Sequence, residues 1–143
     1  MDSKILLECL NTQKELVLKH SQHVNSTLTS AFLKNYKTYG MFLPRQTGKS
    51  TLATNLYKQY ENPIILCFNK KEAIRLNKQY NVLSDSISGF INRSRESIID
   101  HDAYILDEFD GMEPEQIEKL YELIPTFNKH IKDIDIIVLT SKW

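Results

Sequence analysis

The sequence predicts a three-layer α/β fold with a mainly parallel central sheet, and three observations carry that prediction. Short apolar runs recur at 39–43, 64–68, 103–107 and 134–140, each of strand length. The run Ile64-Ile65-Leu66-Cys67-Phe68 is apolar without alternation, as a strand buried on both faces requires. Between the runs lie segments of helical periodicity, and strands that alternate with helices imply parallel pairing.

Taken in order, residues 3–18 place Leu6, Cys9, Leu10, Gln13, Leu16 and Val17 at helical spacing, so an amphipathic packing helix is expected. His20 and His23 lack a third ligand nearby and read as solvated side chains at a helix boundary. Asn25 or Ser26 can cap a second helix with Leu28, Ala31, Phe32 and Tyr36 on one face. Gly40 is expected to end it and turn the chain into the first strand. A third helix follows residue 48, with Leu52, Ala53, Leu56, Tyr57 and Tyr60 on one side.

Asn62-Pro63 breaks that helix before the second strand, and Ala73, Leu76 and Tyr80 align on the next helix. Val82-Leu83 reads as a short strand, and Ile87, Phe90 and Ile91 as a brief helix. Arg93 and Arg95 stand shortly before the third long strand. After Gly111 and Pro114, the residues Ile117, Leu120, Tyr121 and Ile124 form the stripe of a helix that Pro125 is expected to end.

The length suits one domain over residues 1–143, with the N-terminal helices of 1–36 packed on the core, and 41% hydrophobic residues suffice for that core. Eighteen basic and eighteen acidic side chains cancel, so no global field draws the chain to nucleic acid and any such contact needs a local patch. Cys9 and Cys67 show no metal-ligand spacing and read as small core residues in a reducing compartment. No apolar run approaches the roughly eighteen residues of a bilayer span. A signal-peptide core is also missing, so a cytoplasmic location is expected, in the host cell if the protein is viral.

The chemistry concentrates in Leu43-Pro44-Arg45-Gln46-Thr47-Gly48-Lys49-Ser50-Thr51, which follows a strand and opens a helix. A loop of this kind turns successive N–H groups and a helix N-terminus toward a polyphosphate. Gly48 lets the backbone approach the phosphates, Lys49 would bridge the β- and γ-phosphates as a point charge, and the Ser50 hydroxyl would ligate Mg²⁺. The pattern G-x-x-x-x-G-K-[ST] asks for a glycine at position 43, where this chain has Leu43. A second motif supports the first: Ala103-Tyr104-Ile105-Leu106-Asp107-Glu108 is an apolar strand ending in two carboxylates. Asp107 would hold the Mg²⁺ water shell, and Glu108 would act as general base on the attacking water. Together they predict a P-loop nucleotide fold that binds ATP and Mg²⁺, with the nucleotide at the C-terminal edge of the sheet.

The strings PRQTGKST, CFNKKEA, YILDEFD and VLTS, spread over residues 35–143, resemble the ATPase domain of phage large terminase subunits, the motors of DNA packaging. That family commonly lacks the first loop glycine and carries an Arg-Gln pair, matched by Arg45 and Gln46. The resemblance implies that Arg45 is a cis arginine finger, that Gln46 through Thr51 line the nucleotide, and that Thr140 and Ser141 sense the γ-phosphate. It also implies that Lys70, Lys71 and Arg75 contact the backbone of double-stranded DNA, and that Gln13 or Gln22 reads the adenine. The family continues into a nuclease domain that these residues do not contain, so DNA cleavage is not expected of this chain, and the core is expected to be short by a strand. Asp107-Glu108-Phe109-Asp110 resembles the DExD box of superfamily-two helicases as well, which implies a lobe completed by a partner protein or a second copy. A third expectation is a small regulatory nucleotide-binding protein that acts through protein contacts.

Overall fold

The computed structural model describes residues 3–21, 37–42, 49–93, 101–127 and 134–140. Helix α1 spans Ser3–Ser21, strand β1 Thr38–Phe42 and helix α2 Lys49–Tyr57. Strand β2 (Pro63–Cys67), helix α3 (Lys70–Tyr80) and strand β3 (Ser84–Ser86) follow. Helix α4 (Ile87–Arg93), strand β4 (Ala103–Leu106), helix α5 (Pro114–Phe127) and strand β5 (Asp135–Thr140) complete the order, with a 3₁₀ turn at Phe109–Gly111. The helix expected over residues 26–36 lies outside the described residues.

All pairings are parallel, in the order β1-β5-β4-β2-β3. Gly40, Val138, Leu106, Leu66 and Asp85 lie on one level across the sheet. Residues of opposite parity along each strand face opposite layers. Ile64, Leu66, Tyr104, Leu106, Ile136 and Val138 join the core under α4 and α5. Ile65, Cys67, Ile105, Ile137 and Leu139 join the core under α1, α2 and α3. Near-complete burial of both sets explains why these strands read as unbroken apolar runs.

The connections obey one hand. The crossovers through α2 and α3 step toward β3 over one face, while those through α4 and α5 return toward β1 over the other. Reversing direction and face together keeps every crossover the same hand.

Local expectations fail in several places for identifiable reasons. Gly40 lies inside β1, paired with Val138, and does not terminate a helix. The third strand is Ser84–Ser86 rather than Val82-Leu83, because β2 pairs through Ile65–Cys67 with that polar triplet. Val82 instead fills the core, and its carbonyl accepts from Asn77 Nδ2 at 2.8 Å. Pro125 sits within α5, in its last turn. Proline removes a single N–H there, while the preceding helix is held by buried Leu120, Tyr121 and Ile124. On α1, Leu7 and Leu10 carry the contact with the core, whereas Leu16 is 57% exposed. Cys9 is exposed, so of the two cysteines only Cys67 is a core residue.

Candidate functional site

The candidate site is built at the C-terminal edge of the sheet, where β1, β5 and β4 end side by side. Phe42, the last residue of β1, is level with Thr140, the last residue of β5. Met41 is level with Leu139, and the β4–β5 register carries that level on to Asp107. Strands stand about 4.8 Å apart, so the end of β4 lies about 10 Å from the end of β1, with β5 between them. Helix α2 begins at Lys49 and descends on the face of Ile105 and Ile137, into whose core it buries Leu52, Ala53 and Leu56.

Asp107 follows β4 directly and is 4% exposed. Its N–H donates to the Leu66 carbonyl at 2.9 Å, which carries the ladder one residue past the strand. Strand alternation puts Asp107 on the Ile105 face, the face of α2. Cys67 stands on that face as well, and its thiol reports the neighbouring charges. Burial first, then the charges of Asp107 and Glu72, push it up to about 12, so it remains a neutral thiol.

Glu108 is half-buried and adopts the left-handed region with φ 56° and ψ 52°. A side chain there costs about 1 kcal/mol or more. The reversal sends the chain from β4 into the 3₁₀ turn, and Phe109 and Met112 then pack on the opposite core, under α4 and α5. The two adjacent carboxylates therefore occupy a hinge between the layers, with Asp107 facing α2.

This edge has the topology of a ligand crevice. The helix after β4 lies on one face of the sheet, while those after β1 and β2 lie on the other. The connections thus diverge on either side of β4, and such switch points open a cleft beyond the strand ends.

Of the residues singled out in the sequence, Asp107, Glu108 and Thr140 share this edge with the first turn of α2, where Thr51 is exposed. Thr140 is half-buried, opposite Phe42, the last residue of β1. Arg45, Gln46, Thr47 and Gly48 lie outside the described residues, as do Gln22, Arg95 and Ser141. Lys49 and Ser50 are the first two residues of α2, and their side chains also lie outside the described set. Gln13 Nε2 donates to the Gly40 carbonyl at 3.4 Å, which ties α1 to β1.

Lys70 and Lys71 are exposed at the start of α3, whose first turn is capped by Asn69 Oδ1 accepting from the Glu72 N–H at 2.8 Å. Arg75 is engaged along its own helix. Its Nε and Nη2 donate to Glu72 Oε2 at 3.1 and 3.0 Å, and its Nη1 to Gln79 at 3.1 Å. Arg93 pairs with Asp85 at 2.8 Å. Two features escaped sequence reasoning: the left-handed backbone of Glu108 and the placement of Phe68 against Gly111. A glycine three residues beyond Glu108 was the only local signal for either.

Mg²⁺ is a hard cation that keeps several waters and takes one or two protein oxygens beside substrate phosphates, and the buried Asp107 carboxylate is a donor of that type. Asp107 and Ser50 would supply those oxygens. Among the described residues no group of three or more His, Cys, Asp or Glu side chains could hold a metal by itself. No helix among them is long and apolar enough to cross a membrane. Comparison with models of known protein families and with curated proteins finds no match to this chain.

Proposed function

We propose that the chain is a Mg²⁺-dependent P-loop ATPase, similar to the ATPase domain of phage large terminase subunits, that couples ATP hydrolysis to action on DNA. One observation carries the reading: the start of α2 and the Asp107-Glu108 pair share the C-terminal edge of a parallel sheet, one strand apart, with Asp107 buried on the face of α2. Without that registry the two motifs would be unrelated strings.

In this reading the N–H groups of residues 45–51 wrap the polyphosphate, and Lys49 neutralises the β- and γ-oxygens. Ser50 and Asp107 hold Mg²⁺, which supplies charge neutralisation at the phosphates. Glu108 takes a proton from water as the water oxygen bonds to the γ-phosphorus. The bond from that phosphorus to the β,γ-bridging oxygen breaks, and ADP and inorganic phosphate leave. Arg45 stabilises the charge on the transferring group, and Thr140 contacts the γ-phosphate. Lys70 and Lys71 supply the local basic patch that a chain of zero net charge needs for DNA. A partner protein or second copy would complete the motor, acting in the cytoplasm.

The test is steady-state ATP hydrolysis by purified protein with and without double-stranded DNA, with Lys49→Ala as control. Turnover that rises with DNA and vanishes in the variant is expected. Absence of hydrolysis under both conditions would overturn the reading.

A further inference from the structure

We propose that Phe68 is a positioning residue for Glu108, acting through the 3₁₀ turn at Phe109–Gly111; the inference rests on Glu108 being the general base of the proposed ATPase. Among the described residues four large apolar side chains are exposed, and of these Phe68 alone stands at the C-terminal tip of a strand. It is 41% exposed, so the core does not require it.

Its side chain stands beside Gly111. A Cβ built on Gly111 would stand 3.5 Å from Phe68 Cγ, an ordinary contact, so the ring covers the turn within the reach of one methyl group. The Gly111 N–H in turn donates to the Glu108 carbonyl at 2.9 Å, and the Met112 N–H to the Phe109 carbonyl at 3.0 Å. These bonds hold Glu108 at φ 56°. A side chain in that region persists only where its surroundings over-determine it.

The restraints come from two sides. Inward, Phe109 and buried Met112 anchor the turn in the core. On its other side Phe68 stands about one methyl group from Gly111 and screens the turn. Removing the ring leaves the inner anchor and the core intact, so the turn gains freedom at Glu108 while the protein stays folded. A base displaced by a fraction of an ångström loses alignment with the water it must deprotonate, and such misplacement is felt in turnover rather than in substrate affinity.

The experiment compares Phe68→Ala and Phe68→Leu with wild type in kcat and KM for ATP, in thermal midpoint, and in hydrogen exchange at the Gly111 and Met112 amides. If wild type hydrolyses ATP and Lys49→Ala does not, Phe68→Ala is expected to lower kcat on the order of tenfold with KM within about twofold. Phe68→Leu, which keeps an apolar cover, is expected to restore most of that rate. A kcat within about twofold of wild type in Phe68→Ala, or a loss that appears in KM alone, overturns the proposal. If wild type shows no turnover, the ATPase reading fails and amide exchange decides the role of the ring. Faster exchange at Gly111 and Met112 in Phe68→Ala, with an unchanged thermal midpoint, keeps Phe68 as the support of this turn. Unchanged exchange overturns that as well.

Discussion

Lys14 Nζ lies 2.6 Å from Asp135 Oδ2, joining the middle of α1 to the first residue of β5 at the edge of the sheet opposite the candidate site. Lys37 approaches the other carboxylate oxygen at 3.0 Å, and the Tyr60 hydroxyl donates to Oδ2 at 2.7 Å. Burial by itself would raise the Asp135 carboxyl. The hydrogen bond from Lys14, the charge of Lys37 and the Tyr60 hydroxyl outweigh it and hold the group below its ordinary value. One buried carboxylate thus fastens α1, the residue before β1 and the segment after α2 to the sheet.

Asp135→Asn should cost about 3 kcal/mol, because two ammonium groups then face a site without compensating charge. The sign of the pH dependence follows from the lowered value. The stability that Asp135 lends is fully present above the unfolded value of 3.8 and is lost as pH falls through the lower folded value. Urea denaturation of both proteins checks this. Their difference should hold from neutral pH to about pH 5 and close below it.

The alkaline limit has its own group. Burial, and then the charge of Asp135, push the Tyr39 phenol up to about 12 from 10.0, and Tyr60 rises further for the same leading reason. A raised phenol lends stability that is fully present below the unfolded value of 10.0 and is lost as pH rises through the folded value. Tyr39→Phe should therefore unfold at higher pH than wild type in an alkaline titration followed by circular dichroism. A midpoint that does not move would refute the assignment.

Gly89 is predicted to be irreplaceable for steric reasons. A Cβ there would stand 2.8 Å from Asp85 Oδ1, which accepts from the Ser86 N–H while Oδ2 pairs with Arg93, and 2.9 Å from Ser86 Oγ, which accepts from the Gly89 N–H itself. Gly89→Ala should cost about 1–3 kcal/mol in thermal denaturation, since neither atom can retreat without breaking its own bond.

The two carboxylates at the end of β4 should separate by function. Glu108→Gln is expected to keep ATP binding and lose roughly 10²- to 10⁴-fold in kcat, as removal of a general base does. Asp107→Ala should weaken binding of Mg-ATP while leaving Mg-free ATP binding nearly unchanged. Calorimetric titration with and without Mg²⁺ distinguishes the two variants, and equal effects from both would argue against the assigned roles.

What the sequence by itself determined are the features with local causes. The α/β class was legible because strands buried on both faces are written as unbroken apolar runs, of which Ile64-Ile65-Leu66-Cys67 is the plainest. The candidate site residues stood out because GKS after one strand and Asp107-Glu108 after another have the residue types expected of neighbours to phosphate and Mg²⁺. Periodicity also marked α5, whose Leu120, Tyr121 and Ile124 are buried together.

Tertiary structure alone decided what depends on contacts distant in the chain. Only strand pairing places β5 between β1 and β4, and so sets Thr140 level with Phe42 at the end of β1 and Asp107 one strand away. On α1 the periodicity marked Leu16 and Cys9 as core, but among the described side chains the core receives Leu7 and Leu10, because a helix stripe is wider than the surface that meets it. β3 was displaced from an apolar pair to a polar triplet because register with β2, not side-chain hydropathy, selects an edge strand. Asp135, Lys14, Lys37 and Tyr60 carry no motif, and Phe68 and Gly111 are far apart in sequence. Their meeting is a consequence of chain topology, which local propensity does not encode.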